Sequence, residues 1–79
     1  MPKINLDSSK CAHASKHRAI TFNKIIQEKQ ISLPVSRAEI CSCGPEAVQL
    51  LNQLILDGLI GGYKYSHYWT PLGEEALHD

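Results

Sequence analysis

Cys11, His13, His17, Cys41 and Cys43 are the side chains suited to metal or thiol chemistry. Zinc takes Cys and His, usually four at once. The spacing here is poor for it. Cys41-Ser42-Cys43 is a C-x-C pair rather than the commoner C-x2-C, and Cys11-Ala12-His13 lies in a polar stretch without a regular period. Cys41 equally suits the role of a small apolar filler. No metal site is therefore assigned; Cys11, His13, Cys41 and Cys43 remain the residues from which one would be built. A second set comprises Gln49, Asn52 and Gln53, whose amides can pair with the edge of adenine. A third comprises the cations Arg37, Lys64, Lys16 and Arg18, joined by Lys10 and His17, which could meet phosphate. No phosphate-binding glycine loop, paired carboxylates or nucleophile elbow is present. His67 and His78 have no evident partner. No catalytic residue and no cofactor is assigned, and a non-enzymatic protein is expected.

These residues belong to a chain of 79 residues, enough for one small domain. Eight Lys and Arg balance eight Asp and Glu, but the distribution is uneven. Residues 1–30 carry six basic against two acidic residues, a net +4; residues 31–79 carry two against six, a net −4. That pattern permits an anionic partner near the front without demanding one. Three cysteines are an odd number and few for a disulfide framework, which fits a reducing compartment. No apolar run approaches the roughly 20 residues of a membrane helix. The polar start, residues 1–10, lacks the apolar stretch of a signal peptide. A cytoplasmic location with no membrane partner is expected.

Residues 1–14 are expected to be a flexible basic arm, and residues 15–79 the folded domain. A first helix is predicted from Ser15, as its N-cap, to Gln30, with Ala19, Phe22, Ile25 and Ile26 on its inner face. Residues 31–35 are β-prone, but Pro34 limits them to a very short edge strand. Ser36-Arg37-Ala38-Glu39 is a capping box that starts a two-turn helix over about 36–42, with Ala38, Ile40 and Cys41 apolar. Gly44 suits a helix end and Pro45 the first turn of the next. The third helix is predicted over about 45–57. Ala47, Leu50, Leu51, Leu54 and Ile55 form its apolar stripe, and Gly58 stops it. Two short helices across a glycine turn form a helix-turn-helix unit. A β-hairpin over about 59–70 follows. Tyr65 and Trp69 would share a face of its second strand and Tyr68 the other, with at least one ring in the core. Thr70-Pro71 opens a last helix to His78, with Leu72, Ala76 and Leu77 packing inward.

The order helix, strand, helix, helix, hairpin, helix, mainly α with a small β-hairpin, resembles a winged helix-turn-helix domain. The resemblance rests on Leu50-Leu51-Asn52-Gln53-Leu54-Ile55-Leu56-Asp57-Gly58-Leu59-Ile60 and on Tyr68-Trp69-Thr70-Pro71-Leu72-Gly73-Glu74-Glu75-Ala76-Leu77. Small bacterial and phage regulators of this class carry a similar leucine-rich run ending in Asp or Glu and Gly-Leu-Ile. An aromatic strand, a Thr-x-x-Gly turn and a closing helix come after it. The match covers about residues 15–78 and concerns the fold more than any individual family.

The resemblance implies a small DNA-binding transcriptional regulator. Its third helix would enter the major groove of double-stranded DNA, and its wing would meet the adjacent backbone. Gln49, Asn52 and Gln53 would then read bases. Arg37, Lys64, Lys16 and Arg18 would touch phosphate. The third helix has no Lys or Arg, and Glu46 and Asp57 repel phosphate. The cation set is therefore thin for a monomer; a homodimer would double it and suit a palindromic site. Amide side chains on a helix exterior are also what an ordinary wet surface carries. Two other readings stand beside the first. One is a winged-helix protein-interaction module, an adaptor or inhibitor using Leu56, Tyr63 and Tyr65 as anchors. The other is a thiol- or metal-responsive regulator with Cys43 as its exposed thiol.

Overall fold

Ala19, Phe22 and Ile26 recur at helical spacing, and all three are fully buried in the structure. The structure is a computed structural model that describes residues 2–78, with side chains from residue 14 onward. It comprises α1 (Pro2–Glu28), α2 (Arg37–Cys41), α3 (Pro45–Asp57), β1 (Ile60–Tyr63), β2 (Ser66–Trp69) and α4 (Pro71–His78). The architecture is mainly helical, with one two-stranded antiparallel hairpin. No helix among the described residues is long and apolar enough to cross a membrane.

Helix α1 begins well before Ser15, so Ser15 is not its N-cap. Ser15 lies within the helix, buried, and its Oγ donates to Asp57 Oδ2 at 2.8 Å. A serine near a helix start has the same sequence signature in either role. Residues 2–14, expected as part of a flexible arm without a regular period, belong to α1, and the side chains of residues 2–13 lie outside the described set. At the other end Gln30, with φ of 60°, closes α1. The Gln30 N–H reaches the Gln27 carbonyl and the Ile31 N–H reaches the Ile26 carbonyl, both at 2.9 Å. This is a Schellman closure built without glycine.

The edge strand expected over 31–35 contracts to a single antiparallel bridge, Val35 to His67. His67 donates its N–H to the Val35 carbonyl at 2.8 Å and accepts from the Val35 N–H at 3.2 Å. Helix α2 then starts at its predicted cap, with Ser36 Oγ accepting from the Glu39 N–H. Only five residues long, it buries Ile40 and leaves Ala38 and Cys41 exposed. The expected roles of the two cysteines are thus reversed. Cys41 faces solvent, and Cys43, past the helix end, packs against the core. Gly44, with φ of 108°, is the N-cap of α3 rather than the terminator of α2.

Helix α3 has its predicted limits because Pro45 fits the first turn and Gly58 adopts the left-handed conformation, φ 85°, just beyond the last. Ala47, Leu51 and Leu54 are fully buried, with Leu50 and Ile55 partly so. They meet Phe22 and Ile26 of α1 together with Ile40, Leu59 and Ile60. The hairpin pairs Ile60 with Trp69 and Tyr63 with Ser66, leaving Lys64 and Tyr65 as its turn. Trp69 meets Phe22 edge to face at 6.0 Å between ring centroids. Tyr65 does not share the face of Trp69, because β2 begins only at Ser66.

Thr70 joins the hairpin to α4. Its Oγ1 donates to the Gly58 carbonyl at 2.7 Å and accepts from the Gly73 N–H at 3.1 Å, capping the helix. Gly73 is buried against the Leu59 carbonyl; a Cβ there would lie 2.0 Å from that oxygen. Ala76 and Leu77 pack on the core as expected, but Leu72 is half-exposed. Gly73 takes the inward position because only a residue without a side chain can bring α4 this close to Leu59.

Candidate nucleic-acid interface

Three of the residues singled out in the sequence converge at the start of α2. The Arg37 backbone N–H donates to the Lys64 carbonyl at 2.8 Å, which draws the hairpin turn against α2. The Arg37 guanidinium, through Nη2, donates to Asn52 Oδ1 on α3. One residue therefore links the hairpin turn, α2 and α3. The bridge between Val35 and His67, two residues before Arg37, fixes the base of the hairpin in the same region. His67 itself is buried, with no hydrogen-bond partner at Nδ1 or Nε2 among the described residues.

From this junction the outer face of α3 runs through Gln49, Asn52 and Gln53 to Leu56, all exposed. Their spacing of three and four residues makes them neighbours on one helix face. The face carries no cation of its own. Arg37 supplies a guanidinium beside Asn52, and Lys64 supplies an ammonium at the hairpin turn. Lys64 Nζ lies over the Tyr65 ring, 5.2 Å from its centroid, a cation–π contact.

Asp57, at the C-terminal end of α3, would oppose a polyanion. It is instead paired. Arg18 Nη2 donates to its Oδ2 at 2.6 Å, and Ser15 Oγ reaches the same oxygen. The Arg18 hydrogen bond holds the Asp57 carboxyl below its usual pKa; burial opposes this, and Ser15 and the charge of Arg18 add to it. Arg18 is thus committed to α3 rather than free for phosphate. Lys16 is half-buried on α1 and engaged in an interaction of its own. Neither joins Arg37 and Lys64 at the junction.

Tyr63 and Tyr65 are exposed at the end of the hairpin, 74% and 77%, and Leu56 is 86% exposed. Tyr68 is partly covered and lies across the hairpin from Gly61. Among the described residues no three His, Cys, Asp or Glu side chains gather as they would have to in order to hold a metal ion. Cys11 and His13, half of the candidate metal set, lie outside the described side chains. The link between Arg37 and Asn52, which lie fifteen residues apart, is not among the sequence expectations. Its only signal is an arginine just inside the cap of α2 and an amide on the wet face of α3.

Comparison with protein-family models, with curated proteins and with solved structures finds no match to this chain.

Proposed function

We propose that the chain is a small, non-enzymatic DNA-binding regulator of the winged helix-turn-helix type. In this reading α3 enters the major groove and the hairpin serves as the wing. The observation that carries it is the Arg37 junction, which couples the hairpin turn, α2 and the amide-bearing face of α3. A duplex needs a helix face for base edges and flanking cations for phosphate, in fixed relation to each other. Gln49, Asn52 and Gln53 supply the first, and Arg37 and Lys64 the second. Pairing of Asp57 with Arg18 removes one of the two charges on α3 that phosphate would oppose. Two cations per chain are few, so a homodimer on a palindromic site is the working form of this reading. Its setting is the cytoplasm of a bacterial or phage-infected cell, where the free thiols of Cys41 and Cys43 stay reduced.

Fluorescence anisotropy with a labelled mixed-sequence duplex tests the reading. Affinity at low salt that falls steeply toward physiological salt is the expected result. Lys64→Ala should weaken binding across sequences and reduce the salt slope by about one. No affinity at low salt would refute it.

A second reading, a protein-interaction module, is favoured by one specific feature. Leu56 projects from the same α3 face as Asn52 and Gln53, and Tyr63 and Tyr65 stand exposed on the hairpin. Large apolar and aromatic anchors of this kind mark protein contacts. A chain that ignores duplex DNA at low salt would point to that surface.

A further inference from the structure

A guanidinium has five N–H donors and no acceptor. The Asn52 atom that meets Arg37 Nη2 is therefore the amide oxygen, and the amide nitrogen is the end left for another partner. The main chain of Arg37 is fixed, because its backbone N–H is bonded to the Lys64 carbonyl and it sits just inside the Ser36 cap of α2, and the guanidinium reaches Asn52 from that point. The Asn52 amide thus turns its oxygen toward a residue on another helix.

An unconstrained asparagine reads adenine with both ends of its amide: the oxygen accepts from the N6 amino group and the nitrogen donates to N7. Here the oxygen faces a cation. The amino group of adenine, approaching that oxygen, would also approach the guanidinium, and both present hydrogens. Guanine offers two acceptors, N7 and O6, on the same edge. The Asn52 amide nitrogen and the remaining N–H groups of Arg37 are all donors and match it. Resting on the DNA-binding reading above, but with the Arg37 guanidinium at a base edge rather than at phosphate, we infer that Arg37 and Asn52 act as one composite donor that selects guanine over adenine in the major groove. Arg37 is the specificity-determining partner: it changes what Asn52 can read.

Selection of duplexes from a randomised library by the full chain at low salt tests this. The wild-type pool should fix guanine at a position that Asn52→Ala no longer selects. Arg37→Ala, which frees the amide oxygen, should move the preference there toward adenine. Exchanging that G·C pair for A·T should lower wild-type affinity by roughly tenfold or more, a comparison that needs no variant. Circular dichroism of each variant separates lost folding from lost recognition. Adenine in the wild-type pool at the Asn52-dependent position would overturn the inference while leaving DNA binding intact. So would a pool with no Asn52-dependent position. Failure of the wild type to retain any duplex would instead overturn the DNA-binding reading on which the inference rests.

Discussion

Arg18 on α1 donates to Asp57 at the last residue of α3, at 2.6 Å, and so ties the C-terminal end of α3 to α1. Asp57 occupies the negative end of the α3 dipole, an unfavourable place for an anion. The pair is partly exposed, 30% and 29% for the two side chains, so its net worth is that of a screened contact. Removing the cation is worse than removing the anion, because it strands Asp57 against the dipole. Arg18→Met, which keeps the packing stem, should cost about 1 kcal/mol, and Asp57→Asn clearly less. Urea unfolding of both variants measures the difference; equal losses would contradict the asymmetry.

The same pair makes stability depend on acid. The Asp57 carboxyl is held below its ordinary value of 3.8, first by the Arg18 hydrogen bond. A group with a depressed folded pKa contributes stability above its unfolded pKa and loses it as pH falls through the folded value. The wild type should therefore lose more stability than Asp57→Asn on acidification below about pH 4, and the two curves should converge at the acid end. Parallel unfolding curves across that range would show that Arg18 does not hold the carboxylate.

Gln30 closes α1 at φ 60°, a conformation that costs a residue with a Cβ about 1 kcal/mol. Gln30→Gly relieves that cost but loosens the unfolded chain. The net expectation is a gain of about 0.5 kcal/mol, read as a raised urea midpoint. A loss would mean that the Gln30 side chain makes a stabilising contact.

Gly73→Ala places a methyl 2.0 Å from the Leu59 carbonyl oxygen and 2.9 Å from the Trp69 ring. Neither neighbour is the free end of a flexible chain, so α4 must move off the hairpin. A loss of about 2–3 kcal/mol is expected. Thermal unfolding with Trp69 fluorescence follows both the stability and the displacement; an unchanged midpoint would contradict the close approach.

The elements with local signals are legible in the sequence. Pro45 and Gly58 bound α3 at its predicted residues, and Thr70-Pro71 opens α4, because caps and prolines act within one turn. Features decided by packing are less visible. Ser15 carries a cap signature but serves as a partner for Asp57, forty-two residues away. Cys41 and Cys43 exchange their expected exposures because α2 turns Ile40 inward, which leaves the adjacent Cys41 toward solvent, while Cys43 beyond the helix end packs against the core. Leu72 yields the inward position to Gly73 because the backbone of Leu59 leaves no room for a side chain. Within the candidate site, Gln49, Asn52 and Gln53 lie on the wet face of α3 that the apolar stripe implies. The coupling of Asn52 to Arg37, and of Arg37 to Lys64, depends on how three elements meet and has no local signature.

The Arg37 junction and the α3 face are proposed to form the DNA-contacting surface together. Amide NMR spectra of the labelled protein, recorded while a short mixed-sequence duplex is added at low salt and again near physiological salt, test it most directly. Shifts are expected at Arg37, Gln49, Asn52, Gln53 and Lys64 that weaken as salt rises, with little change along α4. No shifts at low salt, or shifts confined to residues 3–18, would contradict it.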